Sequence, residues 1–309
     1  MNTQSSTMHE SFDAPRIASA ISATRLFYWS VRRELWENRL LYLAPLAFAG
    51  VFLFGFLISL IHLPARMRGL SALDPAQQRD AIAMPYDIAA GLMMVTTILV
   101  GVFYCLEALH SERRDRSILF WKSLPVSDLT TVVAKASVAI FILPLLTSAI
   151  GSAMHFIMLL VSSAVLLGSG LSAATLWTRL AWLQMSLLLL YHILTAHALW
   201  PAPMYGWLLL VSGWARRATF LWAALPIVAI AGAEKMAFHT SHFAAMVGGR
   251  LIGVAPGNAS TPDDIFPTNP MTHITPATFL SSPGLWIGLA VTAAFLIAAV
   301  RQRRYQGPI

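Results

Sequence analysis

HSERRDRSILFWKSLPVSDLTTVVAK, residues 110–135, decides how the rest of this chain must be read. It sets dense charge between two apolar runs, 88–109 and 132–167, each long enough to cross a hydrocarbon core roughly 30 Å thick. The 110–131 segment therefore lies in water while its neighbours lie in lipid. Within it, Arg113, Arg114, Asp115 and Arg116 run straight into Ile118, Leu119, Phe120 and Trp121, then Lys122. Pro125 stops the segment, and Ser127 with Asp128 is placed to cap the next helix. Four adjacent bulky apolar residues in a charged aqueous loop need a cover. Two covers fit: the headgroup layer, if the segment floats as a short amphipathic helix, or a groove on a separate soluble protein.

Composition agrees with a lipid setting. The 309 residues are 57% hydrophobic and 11% charged, with a mean hydropathy of +0.66, whereas a soluble globule carries about 25% charged residues. The net charge of +7 and pI near 10.0 come from short basic clusters beside apolar runs. That is the pattern of a membrane protein's flanking loops and not of a nucleic-acid surface, so no nucleic-acid partner is expected. Cys105, the only cysteine, lies inside an apolar run, which leaves no disulfide and no cysteine metal site. The polar first 15 residues and the Arg-aromatic mixture after them do not have the form of a cleavable signal peptide.

Along the chain, 1–15 reads as a disordered tail and 16–39 as an amphipathic interfacial helix. In the latter, Ile17, Ile21, Tyr28, Val31 and Leu35 form a stripe, and Arg25, Arg32, Arg33, Glu34 and Arg39 fall largely off it. Spans are expected at 40–61, 88–109, 132–167, 180–212, 218–233 and 284–300. The third and fourth are longer than one crossing needs; Pro144 kinks one, and Pro201 and Pro203 break the other. Polar excursions at 62–85 and 234–283 connect spans, the second with a short helix near 236–247, and 301–309 is a basic tail. Fifteen of the 21 Lys and Arg fall on one side of this arrangement and six on the other. Both termini and 110–131 are therefore cytosolic, and 234–283 is outside. The expected fold is an all-α integral membrane protein of six transmembrane helices, with an N-terminal interfacial helix and a cytosolic helix between spans two and three.

Few residues offer chemistry. Nothing matches G-x-x-x-x-G-K-[ST], and the Gly248, Gly249, Gly253 group lacks the lysine and the preceding strand that cradle phosphate. The chain is not expected to be an enzyme. Polar groups inside spans are functional candidates by default, which singles out Glu107, His155 and His192. Glu107 can equally be solvated or pair with the arginines just beyond it, and His155, His192 and His197 can be packing residues. Glu234 and Lys235 diverge by roughly 100° on a helix, and mark the outer end of span five. His239 and His242 are spaced to share a helical face, with His273 elsewhere in the same segment. Without H-E-x-x-H or a nearby carboxylate they make no metal site. Trp177, Trp182, Trp200, Trp207, Trp214, Trp222 and Trp286 lie near span ends, as in an aromatic belt.

The run ERRDRSILFWKSLPVS, residues 112–127, followed by a capped transmembrane helix, resembles the first cytosolic loop of six-span ABC exporter permeases of the ABC-2 type. Outside that run the likeness is one of layout. The resemblance implies a coupling helix seated in an ATPase, with Arg113, Arg114, Asp115, Arg116, Ile118, Leu119, Phe120, Trp121 and Lys122 as coupling residues. Ile118, Leu119, Phe120 and Trp121 are the expected anchors, and Arg113, Arg114, Arg116 and Lys122 the expected rim. It further implies two copies of a cytosolic ATPase subunit that hold the ATP and Mg, since this chain binds no cofactor itself. A second permease subunit, another copy of this chain, would contact it through spans one and five, in the inner membrane of a bacterium. The residues alone also leave open a self-contained secondary transporter, though no repeated halves are visible, and an intramembrane enzyme acting through the histidines.

Overall fold

The computed structural model describes residues 22–70, 74–123, 126–252 and 276–305, and these are helical with no strand among them. The expected 1–15 tail, Ile17, Ile21, Pro125 and His273 lie outside the described residues. Six helices are long and apolar enough to cross a membrane.

Ser22, in extended backbone, accepts from the Arg25 amide and opens α1 (Ala23–Glu37). A turn at Asn38 leads into α2 (Leu40–Ser59), and one 3₁₀ turn joins it to α3 (Leu63–Leu70). Next comes α4 (Pro75–Ala108), which starts well before the apolar run at 88. The polar excursion expected at 62–85 is instead largely helical, in α3 and, from residue 75, in the first turns of α4. Those turns form because Pro75 sits at a helix start, where its missing N–H costs nothing, and Ala and Gln around it favour helix.

The 110–123 stretch forms two short helices, α5 (His110–Arg114) and α6 (Ser117–Ser123), joined through Arg116 in left-handed backbone at φ 57°. The Ser127 hydroxyl accepts from the Thr130 amide at 3.0 Å and starts α7 (Asp128–Ser137). A π turn at Val138–Ile142 then leads without interruption into α8 (Leu143–Gly168). Pro144 has no N–H to give, and just before it the Leu143 amide reaches back five residues to the Val138 carbonyl.

After α9 (Ala174–Arg179), the fourth of the long apolar helices repeats the device. Helix α10 (Trp182–Leu194) passes through a π turn at Thr195–Leu199, bends at Pro201, and continues as α11 (Ala202–Trp214). The two π turns pack on each other. The chain closes with α12 (Thr219–Phe238), α13 (His242–Ile252), α14 (Pro276–Ser281) and α15 (Pro283–Tyr305).

Helix α11 lies along α15 and α4, while α8 lies along α10, α2 and α4. At Gly151 α8 comes close to α10: a Cβ there would stand 2.8 Å from a Leu189 methyl, which would have to shift to admit it. One apolar cluster gathers Leu41, Tyr104, Leu143, Tyr205 and Leu209; a second gathers Phe56, Tyr86, Met93, Met158 and Leu176. Helix α12 is almost bare, with Phe220, Leu225, Val228 and Met236 exposed. Trp200 is buried at the Pro201 bend and Trp207 is half-buried, so these two serve the interior and not an aromatic belt. Because α1, α5, α7 and the end of α15 meet, Arg33, Glu34 and Arg303 lie at the same end of the bundle as the 110–123 loop.

Candidate functional site at the loop end of the bundle

Lys135 interrupts the apolar run of span three, and a cation there must find carboxylates or leave the interior. It finds two. Its Nζ stands 2.8 Å from Glu34 of α1 and 3.1 Å from Glu112 of α5, with Lys135 and Glu34 each 2% exposed and Glu112 5%. Arg33 reaches the same Glu112 oxygen at 2.9 Å and Glu34 at 3.3 Å, and Arg303 from the last turn of α15 pairs with the other Glu112 oxygen. Arg303 also holds Asp128, at the start of α7, at 3.0 Å. The second Glu34 oxygen accepts from the Tyr104 hydroxyl at 3.1 Å and the Asn38 amide at 3.3 Å.

Three cations thus face three carboxylates, and all four oxygens of Glu34 and Glu112 are occupied. Such a cluster is tolerable only when complete, because removing one member strands its partners away from water. Burial opposes the Arg33 charge, but Glu34, Glu37 and Glu112 outweigh it and hold its pKa above the ordinary arginine value. The cluster ties α1 to the loop and to spans three and six.

The loop itself divides. Arg113, expected at an exposed rim, is buried and donates to the Gly213 carbonyl at 2.5 Å and to the Ala215 carbonyl at 3.5 Å. These are the orphan acceptors at the end of α11, where a cation is favoured. Ile118, expected as an anchor for a partner, is 1% exposed and packed inside this chain. Trp121 is half-buried with the Arg33 guanidinium 3.6 Å above its ring. Leu119 and Phe120 are both 59% exposed. Arg114 pairs with Asp115 at 3.1 Å and with Glu107 at 3.5 Å in the open, Arg116 is exposed, and Lys122 donates to the Arg304 carbonyl at 3.5 Å.

The remaining candidates do not join this cluster. Glu107 is exposed and bound to Arg114. His155 places Nε2 3.1 Å from the Tyr86 carbonyl, bridging spans two and three, and His192 places Nδ1 3.0 Å from the Leu188 carbonyl of its own helix. His239 ends α12 in left-handed backbone and His242 begins α13, so they share no helical face.

Two further arrangements at the far end were missed in the sequence. Glu234 accepts from the Thr240 hydroxyl at 2.8 Å and from the His242 and Phe243 amides at 2.7 and 2.8 Å, so it caps α13. Arg250 donates to the Trp200 carbonyl at 2.8 Å and the Gly284 carbonyl at 2.6 Å, with the Trp200 ring 4.3 Å away. The Trp200 carbonyl is available because the Met204 amide bonds to Pro201 instead. Among known proteins, no family model, curated protein or solved structure matches the chain.

Proposed function

We propose that this chain is the permease subunit of an ATP-driven exporter of the ABC-2 type, paired with a second copy and moved by separate cytosolic ATPase subunits that bind the ATP and Mg. The observation that carries the reading is the exposure of Leu119 and Phe120 on a helix whose neighbouring residues are anchored. A segment floating in headgroups has no need of a rigid mount. A segment that must receive a push does need one.

Here the mount is the ionic cluster. Force applied at Phe120 passes through the adjoining Trp121 ring, 4.9 Å away, to Arg33 and α1. Glu112, Lys135, Asp128 and Arg303 carry it to spans two, three and six. Domain closure in the ATPase would then move several spans together. Because Ile118 and Arg113 belong to the chain's own packing, the contact narrows to Leu119, Phe120, the open edge of Trp121 and the charges Arg114, Asp115, Arg116 and Lys122. Truncating Leu119 and Phe120 together to Ala should abolish copurification of the ATPase, or uncouple its hydrolysis from cargo, while insertion and folding stay normal. A double variant that keeps both its ATPase and its transport rate overturns the proposal.

A further inference from the structure

Helix α1 has two unlike faces, and only one of them is used by the bundle. Arg33, Glu34 and Glu37 turn toward the ionic cluster, so every acid of the helix lies on that side. About 180° from Glu34, at helical spacing, run Arg25, Tyr28, Trp29, Arg32 and Trp36. Tyr28, Trp29 and Trp36 are 57%, 52% and 67% exposed.

Arg32 is held between two indoles, its guanidinium carbon 5.0 Å from the Trp29 ring and 4.8 Å from the Trp36 ring. Stacking occupies the planar faces of a guanidinium and leaves its N–H edge pointing outward. No carboxylate pairs with Arg25, Arg32 or Arg39 among the described residues, and none stands on the stripe. Arg33, one residue away, has carboxylates of Glu34, Glu37 and Glu112 on its guanidinium.

The position of the stripe identifies what it meets. Immediately after Arg39 the chain enters α2, whose Leu40, Leu43, Leu46 and Val51 are exposed and must be covered by acyl chains if α2 crosses a bilayer. The stripe therefore sits at headgroup height, where Trp and Tyr collect and where lipid phosphates are the abundant anions.

We infer that the Arg25–Arg32 face of α1 is a binding site for anionic phospholipid, with Arg32 as a preorganised bidentate donor to the lipid phosphate. An arginine fork matches two phosphate oxygens, as a lysine cannot, and the flanking indoles fix its direction. This inference does not depend on what docks at Phe120.

The test uses the purified full chain in mixed micelles of phosphatidylglycerol and phosphatidylcholine, with bound lipid counted by mass spectrometry. The wild type should retain phosphatidylglycerol in clear excess. Each loss of a near-surface arginine should cost about fivefold in anionic-lipid retention, so Arg25→Gln with Arg32→Gln should nearly erase the preference. Arg32→Lys should recover it only in part, and thermal unfolding should barely change in either variant. Millimolar inorganic phosphate should not displace the lipid. Equal retention of the two lipids by the wild type, undiminished preference in the double variant, or displacement by free phosphate would each overturn the assignment.

Discussion

Glu112 and Phe120 belong to one short loop, yet the carboxylate is 5% exposed beneath three cations and the phenyl ring is 59% exposed. The usual placement of charge and hydrophobe is reversed within eight residues. Each half is explained by its partners. The charge is buried because α1, α7 and α15 bring three opposite charges to it. The ring is bare because none of the described residues covers it. The first half thus holds helices together, and the second is the part proposed above for contact.

The largest expected break in this comparison is at Lys135. Lys135→Met leaves Glu34 and Glu112 facing each other with one cation fewer, and removing one partner of a buried ion pair costs about 3–5 kcal/mol. In detergent the variant should lose most of its thermal stability or its monodisperse elution peak. Combining it with Glu34→Gln should restore part of that loss. A single variant as stable as the wild type would show that the cluster holds nothing.

Arg113→Ala comes next. It frees the Gly213 carbonyl at the end of α11, while His110 Nδ1 still stands 3.2 Å from the Ala215 carbonyl, and losing a charge-assisted hydrogen bond of this kind costs about 1.5–3 kcal/mol. A melting curve should shift clearly, whereas an arginine at a solvated rim would shift it hardly at all.

Trp121→Ala removes the ring beneath Arg33. Stability should fall by about 1 kcal/mol, in the range of a partly desolvated cation–π contact. The same variant should weaken the response of a bound ATPase to cargo, which separates the mount from the contact.

The smallest effect on stability belongs to the tip. Leu119→Ser and Phe120→Ser should change unfolding by less than about 0.5 kcal/mol, as substitutions at exposed sites do. Their effect should appear instead in retention of the partner. A large loss of stability would place both side chains inside the fold and erase the distinction between the halves.

Much of the scaffold could be read without coordinates, because its causes are local. Long apolar runs announce six helices, Ser127 announces the cap of α7, and Pro144 and Pro201 announce places where helical hydrogen bonding must rearrange. The reading failed where a residue's role depended on a distant partner. Arg33, Lys135 and Arg303 looked like three of many basic flanking residues. Only contact with Glu34 and Glu112 makes them a buried cluster. The 62–85 stretch departs from expectation for a related reason: its charges suggest a loop, although helix propensity and Pro75 favour helix. One signal was available: Lys135 stands inside an apolar run, and such a cation demands an acid somewhere.

By itself, then, the sequence determined the all-helical class with six long apolar helices, the charged break between two of them at 110–123, and the places near Pro144 and Pro201 where helical hydrogen bonding rearranges. Hydrophobic periodicity, capping and the missing proline N–H act over a few residues, so they are written locally. Tertiary structure alone decided that Ile118 and Arg113 turn inward while Leu119 and Phe120 turn outward, and that Arg32 and Arg33 serve opposite faces of α1. Burial and ion pairing are settled by whichever side chains the folded backbone brings together, and Glu34 meets Lys135 from 101 residues away.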